Sequence, residues 1–139
     1  MTYISERLRQ QVAERAGNCC EYCLYSEAFG RSVFHVEHII AVKHNGATAL
    51  DNLCLSCPVC NLNKGSDISS IDWDADQAIV RLYHPRRDVW QDHFQLDGKH
   101  VQGITAVGRV TVFLLQFNCT MQLERREELL KTGGYPCRK

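Results

Sequence analysis

Two cysteine pairs, Cys20-x-x-Cys23 and Cys57-x-x-Cys60, constrain this chain more than any other feature. A CxxC turn can aim two sulfurs at one tetrahedral ion, and two such turns read as a four-thiolate structural zinc site. The 33 residues between the pairs exceed the spacing of the shortest zinc ribbons, so a sub-structure must be inserted there. Cys19 and Cys54 blur the register. Cys54-x-x-Cys57 is itself a CxxC, so Cys54 could stand in for Cys60. Cys119 and Cys137 complete the eight cysteines and look incidental, one between helices and the other on a tail. A dithiol redox centre is the rival reading, but no βαβ pattern surrounds either pair.

The rest of the composition narrows the class. A length of 139 residues corresponds to a single domain, 1–139. An apolar fraction of 45% and a charged fraction of 23% exclude a disordered tail or a low-complexity linker. The richest apolar run, Val110 to Phe117, falls far short of the roughly 18 residues that a membrane span needs. The N-terminal stretch is charged and lacks an apolar signal core, so the expected location is cytoplasmic. Metal or redox chemistry then outranks disulfides as the use of the cysteines. Sixteen basic residues balance sixteen acidic ones, which argues against a binder that attracts nucleic acid with its whole surface. Any such attraction must be local. Residues 101–139 carry six basic residues against three acidic ones. Together with Pro85-Arg86-Arg87 they suggest a basic patch, with Arg86, Arg87 and Arg109 as candidate phosphate contacts.

Periodicity places the elements. Ser5 caps a helix to about Ala16, with Leu8, Val12 and Ala16 as its buried stripe and Gly17 as its stop. Ser32 to Ile40 is β-branched and aromatic, hence a strand. A loop from Val42 to Asn52 leads to a second strand, Leu53 to Ser56. Pro58 opens a short helix that Gly65 closes. Beyond it, Ile68 to Trp73 reads as irregular and Ala78 to Tyr83 as a strand. Asp88 to Phe94 is a helical turn whose Trp90 and Phe94 belong to the core. Gln95 to Gly103 is a hairpin around Asp97-Gly98. Two helices follow, from Thr105 to about Phe117 and from about Thr120 to Lys131. The fold class is α+β.

One ordered set of residues carries chemistry. A strand contains Glu37-His38, a loop ends at Asn52, and Asn61 follows Cys60 in the short helix. Phosphodiester hydrolysis needs a group that takes a proton from water, and a neutral imidazole suits that at neutral pH. It also needs a hard divalent cation to stabilise charge on phosphorus and the leaving oxygen. Such a cation takes oxygen ligands, a carboxylate and an amide carbonyl among them. Glu37 and Asn61 are those donors, His38 is the candidate base, and Asn52 can hold the loop to the strand through its side chain. His35, His44 and Lys64 are further candidates, as partners of the ligands or as phosphate contacts. Strand neighbours face opposite ways, so Glu37 and His38 can serve one cluster only if the strand twists or ends there.

The run His38 … Asn52-Leu … Cys57-Pro-Val-Cys60-Asn61-Leu-Asn-Lys64-Gly65 resembles the HNH, or ββα-metal, endonuclease family. Its four-cysteine zinc-binding subgroup matches best. The resemblance spans residues 18–66. The tail from Tyr83-His84-Pro85-Arg86 onward resembles that of small stand-alone bacterial members, and residues 67–139 form an extension of unassigned role. It implies a zinc-stapled ββα-metal core with an N-terminal helix and a C-terminal β/helical extension. Structural zinc falls to Cys20, Cys23, Cys57 and Cys60. His38 takes the role of general base and Asn52 that of ordering the loop. Glu37 and Asn61 take a catalytic magnesium or manganese. The implied partner is nucleic acid, DNA in the first instance, and the implied products carry 5′-phosphate and 3′-hydroxyl ends. Two positions depart from the usual pattern, with Glu37 where Asp is usual and Asn61 where His is common. They motivate the alternative of a zinc-structured nucleic-acid-binding module without cleavage.

Overall fold

The computed structural model describes residues 3–138. Helix α1, Glu6–Ala16, starts where Ser5 Oγ accepts the Leu8 backbone N–H and stops at Gly17. Val12 and Ala16 are fully buried, against β2. The chain then makes the first cysteine turn and one turn of 3₁₀ helix, Glu27–Phe29. Strand β1, His35–His38, pairs antiparallel with β2, Leu53–Ser56, in the register His35 opposite Ser56 and His38 opposite Leu53. β1 is shorter than the expected Ser32 to Ile40 because only the four residues of β2 face it. Two single 3₁₀ turns, Val42–His44 and Leu50–Asn52, fill the connecting loop. Helix α2, Pro58–Lys64, packs on β1 and ends at Gly65, whose φ of 52° and ψ of −128° suit a residue without a Cβ.

Two more hairpins and three helices complete the fold. The segment expected to be irregular contains strand β3, Ser69–Asp72, which pairs with β4, Ala78–Arg81. Helix α3, Trp90–His93, runs directly into β5, Phe94–Asp97, which pairs with β6, His100–Gly103. Helix α4, Ala106–Leu114, is capped by Thr105 and packs on β3, β4 and β6. Helix α5, Thr120–Lys131, follows Cys119. No helix among the described residues is long and apolar enough to cross a membrane.

The extension after residue 66 packs back on the first cysteine turn. Trp90 Nε1 donates to the Tyr22 carbonyl at 2.7 Å and the Tyr135 hydroxyl donates to the Cys23 carbonyl at 2.6 Å. The Cys137 N–H reaches the Leu24 carbonyl at 2.8 Å. Tyr83, Trp90, Phe94 and Phe117 stack edge-on or tilted in one run, so Trp90 and Phe94 lie in the core.

Several side chains are committed differently from the sequence reading. Cys137 is not incidental: it forms a disulfide with Cys19, across 118 residues of sequence. Arg86 is not a free phosphate contact. It forms a buried ion pair with Glu21, which also accepts the Leu55 N–H. Arg109 is held by Asp72 at 2.8 Å. Arg126, 1% exposed, donates to the carbonyls of Lys99 and Phe117. Two of the basic residues of the last third, Arg109 and Arg126, are therefore bound internally.

Candidate metal centre and cleft

The zinc knuckles converge. The Sγ atoms of Cys20, Cys23, Cys57 and Cys60 lie within 4.8 Å of one another, all buried. Sulfurs about 2.3 Å from a tetrahedral zinc stand about 3.8 Å apart, and Cys23 and Cys57 are 3.7 Å apart. Each CxxC folds its chain around its first sulfur, with the Cys23 N–H toward Cys20 Sγ and the Cys60 N–H toward Cys57 Sγ. Hydrogen bonds from the other three thiols push Cys57 well below the usual thiol range, while those from Cys20 and Cys57 push Cys23 up. Four thiols crowded in this way fit a dication that takes them as thiolates.

Cys54 is excluded from this set. It stands opposite Glu37 in the β1–β2 ladder, and directly opposed residues share a face. Its sulfur lies 3.7 Å from both the Tyr22 hydroxyl and Glu37 Oε1, away from the four thiols.

A cleft of about 440 Å³ adjoins the second knuckle. Glu37, His38, Asn61 and Ser66 line it, together with Arg9 from α1. Glu37 and His38 both reach it because β1 ends at His38. The turn there is set by Asn52. Its Oδ1 accepts the Ile40 N–H at 2.9 Å, and its Nδ2 donates to the carbonyls of Ile40 and Ala47 at 2.9 and 2.8 Å. Gly46 fits under this clasp only because it lacks a side chain: a Cβ would stand 1.8 Å from the Ile40 carbonyl oxygen.

His38 Nε2 lies 2.8 Å from Thr48 Oγ1. Burial, reinforced by the Lys64 charge, lowers its pKa, so the imidazole is neutral at neutral pH. Burial raises Glu37 to about 7, against the Lys64 charge. A cation in the cleft would reverse that shift. The donor set, one carboxylate and one amide carbonyl, suits a hard ion.

The other candidates fall elsewhere. Lys64 is 2% exposed, which withdraws it from an incoming phosphate and leaves it beside Glu37 as a charge with no hydrogen-bond partner. His44 is exposed, 3.1 Å from the Ser66 carbonyl, and bridges the loop to the chain after α2. His35 is exposed and lines no part of the cleft. Sequence reasoning missed Arg9, which carries no motif signal and reaches the cleft only through the packing of α1. Its Nε donates to the Ile4 carbonyl at 3.1 Å, and among the described residues no carboxylate pairs with its guanidinium.

An antiparallel strand pair, a following helix and a cysteine-held ion site, with a histidine at the strand end, define the class of scaffold. Residues 20–67 match the family model for HNH endonuclease, and this segment carries four cysteines placed to bind a metal ion. Comparison with curated proteins and with solved structures gives no match. The match supports a nuclease-type function acting on nucleic acid.

Proposed function

We propose that the chain is a metal-dependent endonuclease that hydrolyses phosphodiester bonds in nucleic acid, with DNA as the expected substrate. The observation that carries this reading is the single cleft that gathers Glu37, His38 and Asn61 beside the zinc knuckle. Glu37 and Asn61 would hold a magnesium-class ion. When bound, that ion supplies charge stabilisation to the phosphate and the leaving oxygen.

The chain's own residues do the rest. In the tautomer with hydrogen on Nε2, His38 donates to Thr48 and keeps its lone pair on Nδ1. Nδ1 then takes the proton of the attacking water. Asn52 holds the loop so that Thr48 stays in place. The unpaired Arg9 guanidinium offers its fork to the phosphate oxygens. Zinc on Cys20, Cys23, Cys57 and Cys60 holds the scaffold and takes no part in the reaction.

Supercoiled plasmid tests the reading. With magnesium or manganese, the zinc-loaded protein nicks it, and His38→Ala, with zinc content unchanged, loses at least a hundredfold of the rate. Binding without nicking in either ion would instead make the chain a nucleic-acid-binding module.

A further inference from the structure

A second groove, of about 220 Å³, lies at the other end of α2. It is lined by Arg31 after the first knuckle, by Tyr25 and Phe34, and by Met121, Gln122 and Arg125 of α5. Arg31 is exposed and Arg125 half-exposed, and neither pairs with a carboxylate among the described residues. The nearest acid on the same stretch, Glu27, is already engaged by the Phe34 N–H at 2.7 Å. Gln122 is only 4% exposed, yet its side chain is hydrogen-bonded to none of the described residues and lines the groove. Met121, 44% exposed, adds an apolar wall.

Two unpaired guanidinium groups, an amide without a partner and an apolar wall together suit a ligand with both an anionic and a flat apolar part. A nucleotide unit of a nucleic-acid strand has both. α2 runs from the groove to the cleft, and β1 leads from Phe34 at the groove to the cleft. The groove takes the first turn of α2 and Phe34, the cleft Asn61, Gly65 and the end of β1. Seven helical residues cover about 10 Å, and the four steps from Phe34 to His38 about 13 Å. At about 3.4 Å per nucleotide of a duplex strand, that is three to four nucleotides.

We propose that this groove binds a nucleotide of the same substrate strand, three to four positions from the bond placed in the cleft. Arg31 and Arg125 hold its phosphates and Gln122 a polar edge. The ligand class rests on the nuclease reading, while the location rests on the groove itself.

The test uses two substrates. Bis(p-nitrophenyl) phosphate fills the cleft alone, whereas a twelve-nucleotide DNA reaches the groove. In Arg31→Ala/Arg125→Ala we expect anisotropy to show about tenfold weaker binding of the oligonucleotide. The slope of log affinity against log salt should be shallower by about 1.4 to 1.8, for two phosphates lost. Turnover of the small ester should be unchanged. Arg31→Lys/Arg125→Lys should recover most of the affinity. Wild-type affinity and slope in the alanine variant would overturn the groove while leaving the nuclease reading intact. An equal loss on the small ester would also overturn it, by showing a structural role. A wild-type protein that neither hydrolyses the ester nor binds the oligonucleotide would overturn both.

Discussion

The ion pair between Glu21 and Arg86 ties the extension to the zinc knuckle, and its removal has a calculable cost. Glu21 lies inside Cys20-x-x-Cys23 and is 7% exposed; the Arg86 side chain is 13% exposed. Burial and the neighbouring Arg15 pull Arg86 down to about 10, still far above neutral pH, so the guanidinium stays charged. Arg86→Met keeps the stem and removes the charge. The Glu21 carboxylate then remains buried with only the Leu55 N–H to offset it. Breaking a buried pair from one side costs about 3–5 kcal/mol, which for a domain of this size lowers Tm by roughly 10–15 °C. Glu21→Gln/Arg86→Met leaves no lone charge and should return to within about 1 kcal/mol of wild type. Urea unfolding of the zinc-loaded proteins, followed by circular dichroism, measures all three. The exposed pair Lys131–Glu128, at 64% and 75% side-chain exposure, serves as control, since its loss should cost no more than about 0.5 kcal/mol. An Arg86→Met loss below about 1 kcal/mol, or a double variant no better than the single one, would refute the reasoning.

Two further outcomes follow from the site. Gly46→Ala should abolish nicking and lower stability by about 1–3 kcal/mol, because the added methyl meets the Ile40 carbonyl and displaces the Asn52 clasp. Urea unfolding and the plasmid assay read the two effects, and an unaffected variant would show that the loop can shift freely. Elemental analysis should find about one zinc per chain in wild type and in Cys54→Ser but little in Cys60→Ser, as the four-thiol set requires; zinc loss from Cys54→Ser would return Cys54 to the ligand set.

What the sequence reveals about this molecule follows the range of each interaction. Ser5, Gly17, Pro58 and Gly65 act on chain neighbours, and the ends of α1 and α2 lie where those residues put them. The four cysteines are distant in sequence but declare themselves by spacing, and the structure brings them together. Pairing between remote residues leaves no such mark. Ser69 to Asp72 has weak strand propensity and becomes β3 only because β4 lies beside it. Arg86 and Arg109 look like surface charge until Glu21 and Asp72 are found next to them. Cys19 and Cys137 are each unremarkable alone, and Arg9 enters the cleft through the docking of α1 on β2. The charge balance illustrates the limit: net zero holds, but Arg109 and Arg126 of the last third are bound internally, while Arg9 at the cleft and Arg31 and Arg125 at the groove have no carboxylate partner among the described residues.

The extension's place in this scheme follows from three consecutive carbonyls. The first knuckle must bend tightly to aim two sulfurs at one point, so Tyr22, Cys23 and Leu24 make no ladder with a strand. Their carbonyls accept instead from Trp90, Tyr135 and Cys137, all outside the matched segment 20–67. A buried carbonyl without a donor costs about 1–3 kcal/mol, and a ββα unit of fewer than fifty residues has little core with which to absorb three of them. The knuckle's geometry and the cover that satisfies it are therefore one problem for the chain. A metal ion on the four cysteines would gather the sulfurs from one side, the extension gathers the carbonyls from the other, and the Glu21–Arg86 pair and the Cys19–Cys137 bond fasten the two where they meet.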